Sequence, residues 1–167
     1  IYCTSRKEVD ALAQWLTVIG RPALPYHAGL PDADRRRNQD AFLSERVDVM
    51  VATVAFGMGI DRSNLRFVVH AGAPRSLEHY QQESGRAGRD GLEAECVLIY
   101  SGGDFVRWRL MLEQNGELTD AAVALLRQME RYAAAVGCRH RHLSEYFGDR
   151  YPHGGCAACD YCLGELE

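Results

Sequence analysis

Two groups of residues in this chain have types and spacing that chemistry can use. The first is sulfur: Cys156, Cys159 and Cys162 place three thiols within seven residues, and Cys138 lies eighteen positions before the first of them. Tetrahedral Zn²⁺ takes four such ligands at about 2.3 Å, and a CxxC turn brings two sulfurs to one ion. A lone CxxC would leave a redox motif as a fair rival; three close cysteines and a fourth upstream favour zinc. His140 and His153 lie close enough in sequence to stand in for one thiolate. The opening residues lack the basic-then-apolar layout of a secretory signal, so metal binding is expected before disulfides. Cys3 and Cys96 fall in apolar, strand-like runs and read as small buried side chains.

The second group is the string Gln82-Glu83-Ser84-Gly85-Arg86-Ala87-Gly88-Arg89-Asp90-Gly91. Glycine lets a backbone approach a ligand closely, and arginine offers a rigid fork suited to phosphate oxygens. In phosphoryl transfer such an arginine neutralises charge that develops on the transferred group. The bland alternative is a glycine-rich turn whose arginines pair with surface carboxylates.

The elements that must hold these residues alternate between strand and helix. Residues 1–4 predict a strand, and Arg6 to Ile19 an amphipathic helix with Val9, Leu12, Ala13, Leu16 and Ile19 on one side. Gly20 and Pro22 stop it before a short strand from Ala23 to His27. Asp32 to Leu43 predicts a helix with acidic residues in its first turn, where the macrodipole favours them. Val47 to Ala52, Phe67 to His70 and Glu95 to Tyr100 read as buried strands, with a helix from Leu77 to Ser84 between the last two. Such alternation implies βαβ crossovers and a parallel sheet covered on both faces. Beyond residue 103 the pattern turns helical: Asp104 to Gln114, then a helix capped by Thr119 running to about Val136, then His140 to Phe147. The division expected is therefore an α/β domain over 1–103 and a small helical zinc-binding domain over 104–167. The last twenty residues are too glycine-rich and short to bury a core, so a metal is expected to supply much of their folding energy.

Composition sets outer bounds. The formal charge is 19 − 23 = −4, which disfavours a simple nucleic-acid coat. No apolar run approaches the roughly 18–20 residues that a membrane span needs. An opening inside a strand-like run, Ile1-Tyr2-Cys3, is expected of a piece cut from a longer chain. The Arg35-Arg36-Arg37 run reads as a solvated helix face pairing with Asp32, Asp34 or Asp40. Arg127, Arg131, Arg139 and Arg141 read either as a platform near DNA or as partners of Glu130 and Glu145.

The arginine string resembles motif VI of superfamily 2 helicases in its RecQ form, and neighbouring segments resemble further RecQ motifs in order. Tyr2-Cys3-Thr4-Ser5-Arg6 is similar to motif IV, Tyr26-His27-Ala28-Gly29-Leu30 to the segment after it, and Val51 through Asp61 to motif V. The resemblance spans essentially the whole chain. It implies a RecA-like second motor lobe followed by a zinc module with Cys138, Cys156, Cys159 and Cys162 as ligands. It also implies that Arg86 and Arg89 reach ATP held with Mg²⁺ mainly by the preceding N-terminal lobe, with Gln82 in support and Gly59 and Asp61 facing the nucleotide. Ser5, Arg6, His27, Gly29 and Thr53 would line a single-strand path, gripping phosphates without reading sequence. The implied activity is ATP-dependent 3′–5′ DNA unwinding, in the cytoplasm or nucleus. Each role has a plainer reading: Asp61 or Thr53 as a turn cap, His27 as a satisfied strand-end polar group.

The chain contains no GxxxxGK[ST] loop and no DExH stretch, so this fragment is not expected to hydrolyse ATP alone. Two rival classes stand beside the helicase reading: an RNA helicase lobe, and a non-catalytic DNA-binding or assembly module.

Overall fold

The computed structural model describes residues 1–57 and 62–166. Five parallel strands form one sheet: β1 (Tyr2–Cys3), β2 (Ala23–Tyr26), β3 (Val49–Ala52), β4 (Phe67–Ala71) and β5 (Glu95–Ile99), in the spatial order β2-β3-β1-β4-β5. The first three helices connect them: α1 (Arg6–Val18), α2 (Asp32–Leu43) and α3 (Leu77–Ser84). The short β1 sits at the centre, with Tyr2 opposite Ala52 on one side and His70 on the other. This is the α/β, RecA-like sheet with covered faces that the alternating pattern implies. α2 and α3 occupy the expected residues.

The pleat sends alternate residues to opposite faces. Val51 packs with Cys3, Val9 and Ala13 under α1, while its neighbours Met50 and Ala52 pack with Phe42 of α2 and Phe56. Ile19, expected on the apolar face of α1, is instead its C-cap and half exposed, because the helix ends one residue earlier. Cys96 corrects another expectation. It is exposed on the edge strand β5, with its thiol turned toward the Ser84 carbonyl at 3.6 Å.

Four further helices follow: α4 (Gly102–Gln114), α5 (Asp120–Ala134), α6 (Arg139–Tyr146) and the single turn α7 (Asp160–Leu163). Ser101 and Asp104 form a capping box at the start of α4, and Thr119 caps α5 by accepting the Ala122 N–H. α5 stops at Ala134, so Val136 lies beyond it and is exposed. The helical part does not enclose a core of its own. Leu126, Met129, Tyr132 and Ala133 of α5 and Phe105 and Leu112 of α4 bury with Ala73, Leu77 and Tyr80. Leu77 and Met129 are wholly enclosed, each burial being worth about 1.5–3 kcal/mol. α3 is thus clamped between the sheet and α5.

Candidate functional site

In open α/β sheets, ligands collect at the carboxyl ends of the strands. There this molecule has a groove of about 520 Å³, lined among others by Ser5, Arg6, Thr53, Gly72, Arg75 and Trp108. Ser5 caps α1: its Oγ accepts the Glu8 N–H and its own N–H donates to the Glu8 carboxylate at 2.9 Å. Partial burial opposes the Glu8 charge, but bonds from Thr4 and Ser5 and the Arg107 guanidinium hold its carboxyl below the usual range. Gly72 brings the wall close. Its φ is +118°, and a Cβ there would meet Thr4 Cγ2 at 2.7 Å, so only glycine fits.

Ala28 reaches the same groove from a loop that His27 fixes. His27 is buried; its Nδ1 accepts the Gly29 N–H at 3.1 Å, which leaves the proton on Nε2 to face Asp10 Oδ1 at 3.0 Å. Gly29 nestles between His27 and the Arg6 stem, either of which would crowd a Cβ at 3.1–3.2 Å. Thr53 takes its position from backbone bonds, donating to the Tyr26 carbonyl and accepting from Phe56. On the far side Arg75 donates to His79 Nε2, and His79 Nδ1 meets Ser76 Oγ at 2.8 Å. Burial, reinforced by the Arg75 charge, pushes the His79 imidazole below its ordinary value.

The arginine turn follows α3 directly. Gly85 caps the helix, and the turn is clipped to residues 63–66 by the Gly88 N–H on the Leu65 carbonyl and the Asp90 N–H on Ser63. Arg66 adds a two-pronged pair to Asp90 at 2.6 Å, holding that carboxyl below its usual range. Arg86 is half-buried on the side of the loop after β3: a Cβ on Gly57 would lie 3.1 Å from its Nη2. Burial pushes the Tyr2 phenol up to about 12, with the neighbouring Arg86 charge pulling the other way. Arg89 is exposed and its Nε donates to the Gly85 carbonyl; Gln82 is exposed on the last turn of α3. Gly59 and Asp61 lie outside the described residues.

The four cysteines converge. The Sγ atoms of Cys138, Cys156, Cys159 and Cys162 all lie within 4.8 Å of one another. A tetrahedron with Zn–S bonds of about 2.3 Å has edges near ~3.8 Å, so these residues fit the ion with little movement. Gly155 makes room, since a Cβ there would sit 2.9 Å from the Cys162 sulfur. Sulfurs also receive backbone N–H groups, from Arg139 to Cys159 at 3.4 Å and from Cys159 to Cys156 at 3.2 Å. Burial resists charging of the Cys138 thiol, but the Arg141 N–H and bonds with Cys156 and Cys162 bring it down to about 7, toward the thiolate that zinc takes. The set fits a structural, closed Cys₄ zinc site. The histidines stay outside it.

Arg139 locks that site to α5. Its Nε and Nη2 grip the Asp160 carboxylate at 2.9 and 2.8 Å, and its Nη1 donates to the Tyr132 carbonyl at 2.7 Å. Arg141 donates to the carbonyls of His153 and Gly154. Both side chains are therefore built into the metal region, where their partners are Asp160 and backbone carbonyls and not Glu130 or Glu145. Arg139→Ala is expected to destabilise the zinc-loaded chain by about 2 kcal/mol, the value of a charge-assisted fork reduced for partial exposure of Asp160. Urea unfolding of R139A, D160A and the double variant checks this: the double variant should lose little more than either single one.

Sequence reasoning reached the sulfur and arginine clusters because each is local. It missed Arg75, His79, Trp108 and Met111 in the groove wall, which fold from residues 75–111 onto the strand ends. It also missed Arg62, which donates to the carbonyls of Phe42 and Val47 beneath the end of α2. The Arg35-Arg36-Arg37 run behaves as a solvated face, with Arg35 on Asp32 and Arg37 on Asp34.

Comparison with known proteins agrees with this geometry. The helicase conserved C-terminal domain family matches residues 1–91, and the RecQ zinc-binding family matches residues 102–163. The ATP-dependent DNA helicase RecQ of Bacillus subtilis (strain 168) is 44% identical over 164 residues, covering 97% of this chain and 28% of its own length. That of Pasteurella multocida (strain Pm70) is 44% identical over 165 residues, covering 98% of this chain and 26% of its own. The chain thus spans under a third of these relatives. Among solved structures, a DEAD box protein from Methanococcus jannaschii superposes with a TM-score of 0.56 at 25% identity, over 68% of this chain and 31% of that one. With its parallel RecA-like sheet and its four-thiolate centre, this chain belongs to the RecQ family of superfamily 2 helicases, of which it forms the C-terminal helicase lobe and zinc-binding region.

Proposed function

We propose that this chain is the second motor lobe of an ATP-dependent DNA helicase that unwinds duplexes 3′ to 5′ in repair and recombination. Residues 1–103 act as the motor lobe and 104–167 as a zinc-stabilised helical buttress. One observation carries the reading: a groove at the strand ends and an arginine turn beside the loop after β3 belong to one lobe. Single-strand grip and nucleotide contact can therefore be coupled over a short path. Arg86 and Arg89 meet the phosphates of ATP bound with Mg²⁺ mainly on the preceding lobe, Gln82 supports them, and Gly59 and Asp61 face the nucleotide. Arg6 and the backbone near Ser5 and Thr53 hold DNA phosphates, while His27 and Gly29 set the shape of the intervening loop. The partners are single-stranded and duplex DNA and the N-terminal lobe of the same protein. Access to DNA then requires a cytoplasmic or nuclear location. Among the described residues no helix is long and apolar enough to cross a membrane.

The test is unwinding by the full-length protein that carries this chain. With ATP it is expected to separate a duplex bearing a 3′ single-stranded DNA tail, and to leave a 5′-tailed duplex paired. Preference for an RNA-tailed substrate would move the protein to the RNA-helicase class. Tight DNA binding without ATP turnover would make it a binding module.

A further inference from the structure

The described residues bury one facing pair of titratable side chains that this function leaves without a task. His70, toward the end of β4, is 1% exposed, and its Nε2 meets Glu83 Oε2 at 2.8 Å. Glu83 is 6% exposed in the last turn of α3. Burying such groups costs several kcal/mol that an apolar pair of similar volume would avoid, so packing alone does not account for them.

Their surroundings suggest the task. The His70 ring lies between Tyr2, stacked at 5.5 Å, and Tyr80 at 5.0 Å. The Tyr2 hydroxyl donates to the Phe56 carbonyl at 2.9 Å, one residue before the Gly57 backbone that Arg86 leans on. By the other route, the Glu83 carbonyl accepts the Arg86 N–H at 3.3 Å. Both supports of Arg86, its own turn and the loop beside it, meet at His70. His70 and Glu83 lie directly beneath the floor of the groove that Ser5, Arg6 and Thr53 line.

We propose that His70 and Glu83 are positioning residues that transmit occupancy of the strand groove to Arg86. The inference rests on the function proposed above. A strand seated in the groove bears on the wall that covers the His70 ring, and the hydrogen bond to Glu83 passes that displacement to the turn carrying the guanidinium. Neither residue touches nucleotide. Because an arginine of this kind acts on charge formed in the transition state, misplacing it lowers turnover and spares ground-state affinity.

The experiment measures ATP hydrolysis by the full-length protein with and without a saturating single-stranded oligonucleotide. Glu83→Ala and His70→Ala are expected to lower kcat in the presence of the oligonucleotide by about tenfold or more, with KM for ATP and oligonucleotide affinity held within about threefold. Glu83→Gln is expected to recover most of the turnover, since its amide oxygen still accepts from Nε2. Unchanged kcat in both alanine variants overturns the proposal, as does an equal loss in Glu83→Ala and Glu83→Gln. Should an alanine variant not fold, Glu83→Asp against Glu83→Gln decides: aspartate keeps the charge but falls a methylene short. Loss in the aspartate variant with retention in the glutamine variant supports the pair, and the reverse overturns it. A wild-type protein whose hydrolysis ignores the oligonucleotide would remove the underlying function instead.

Discussion

Replacing Arg86 by alanine in the full-length protein is expected to lower ATP turnover by about three orders of magnitude, the scale on which arginines aid phosphoryl transfer. Single-strand affinity should stay within a few-fold of wild type. The split follows from position. Arg86 is held beside Gly57 and Tyr2 and, unlike Arg6 and Thr53, is not among the residues that line the groove, so its loss should leave the proposed strand contacts in place. Arg89 gives a useful contrast. It is exposed and bonded to the Gly85 carbonyl, so Arg89→Ala should also slow turnover while disturbing the fold less than Arg86→Ala. Arg86→Lys should not rescue, because a point charge cannot reproduce the planar fork. Steady-state hydrolysis with a coupled assay, alongside fluorescence anisotropy on an oligonucleotide, reads both quantities. Wild-type turnover in both alanine variants would end the arginine-finger role.

Removing the metal should have the other large effect. Structural zinc contributes on the order of 10–16 kcal/mol of apparent binding energy in small modules. Apart from the Arg139 fork and the contacts of Leu143 and Tyr146 with the core, the segment from 138 onward has few anchors of its own, since neither α6 nor α7 has a fully buried residue. Cys159→Ser is expected to reduce zinc from about one ion per chain to near none. Hydrogen exchange across residues 138–163 should then rise toward the unfolded rate. β3 and the start of α1 should keep their protection, because their core of Val9, Ala13 and Val51 has no contact with the sulfur site. Elemental analysis and exchange mass spectrometry test the two halves separately. Full protection of the cysteine segment after chelation would show that the ion is dispensable.

Much of this was readable from sequence where the physics is local. The helical period of residues 6–18, the capping residue Thr119 and the CxxCxxC run each act within a few residues, and each lies where its pattern points. What sequence could not supply depends on chain crossings. Arg139 looks like one more surface cation until Asp160, twenty-one residues on, is folded against it. Trp108 carries no local signal of its place, yet its indole N–H donates to the Ala73 carbonyl at the rim of the groove. Cys96 has a buried residue's neighbours in sequence but sits on the edge strand of the sheet, which no further strand flanks among the described residues. The roles of Gln82, Ser5 and Thr53 rest on likeness to a family, and only variants can assign them.

The clamping of α3 has a mechanical meaning. The Asp104 carboxylate takes N–H groups from both Ala73 and Ser101, and the Tyr146 hydroxyl reaches back to Glu78 at 2.6 Å, so the junction near residue 103 has no slack. In the proposed motor, a displacement of the arginine turn would therefore carry the metal-bearing end with it, because these bonds tie the two together across the junction.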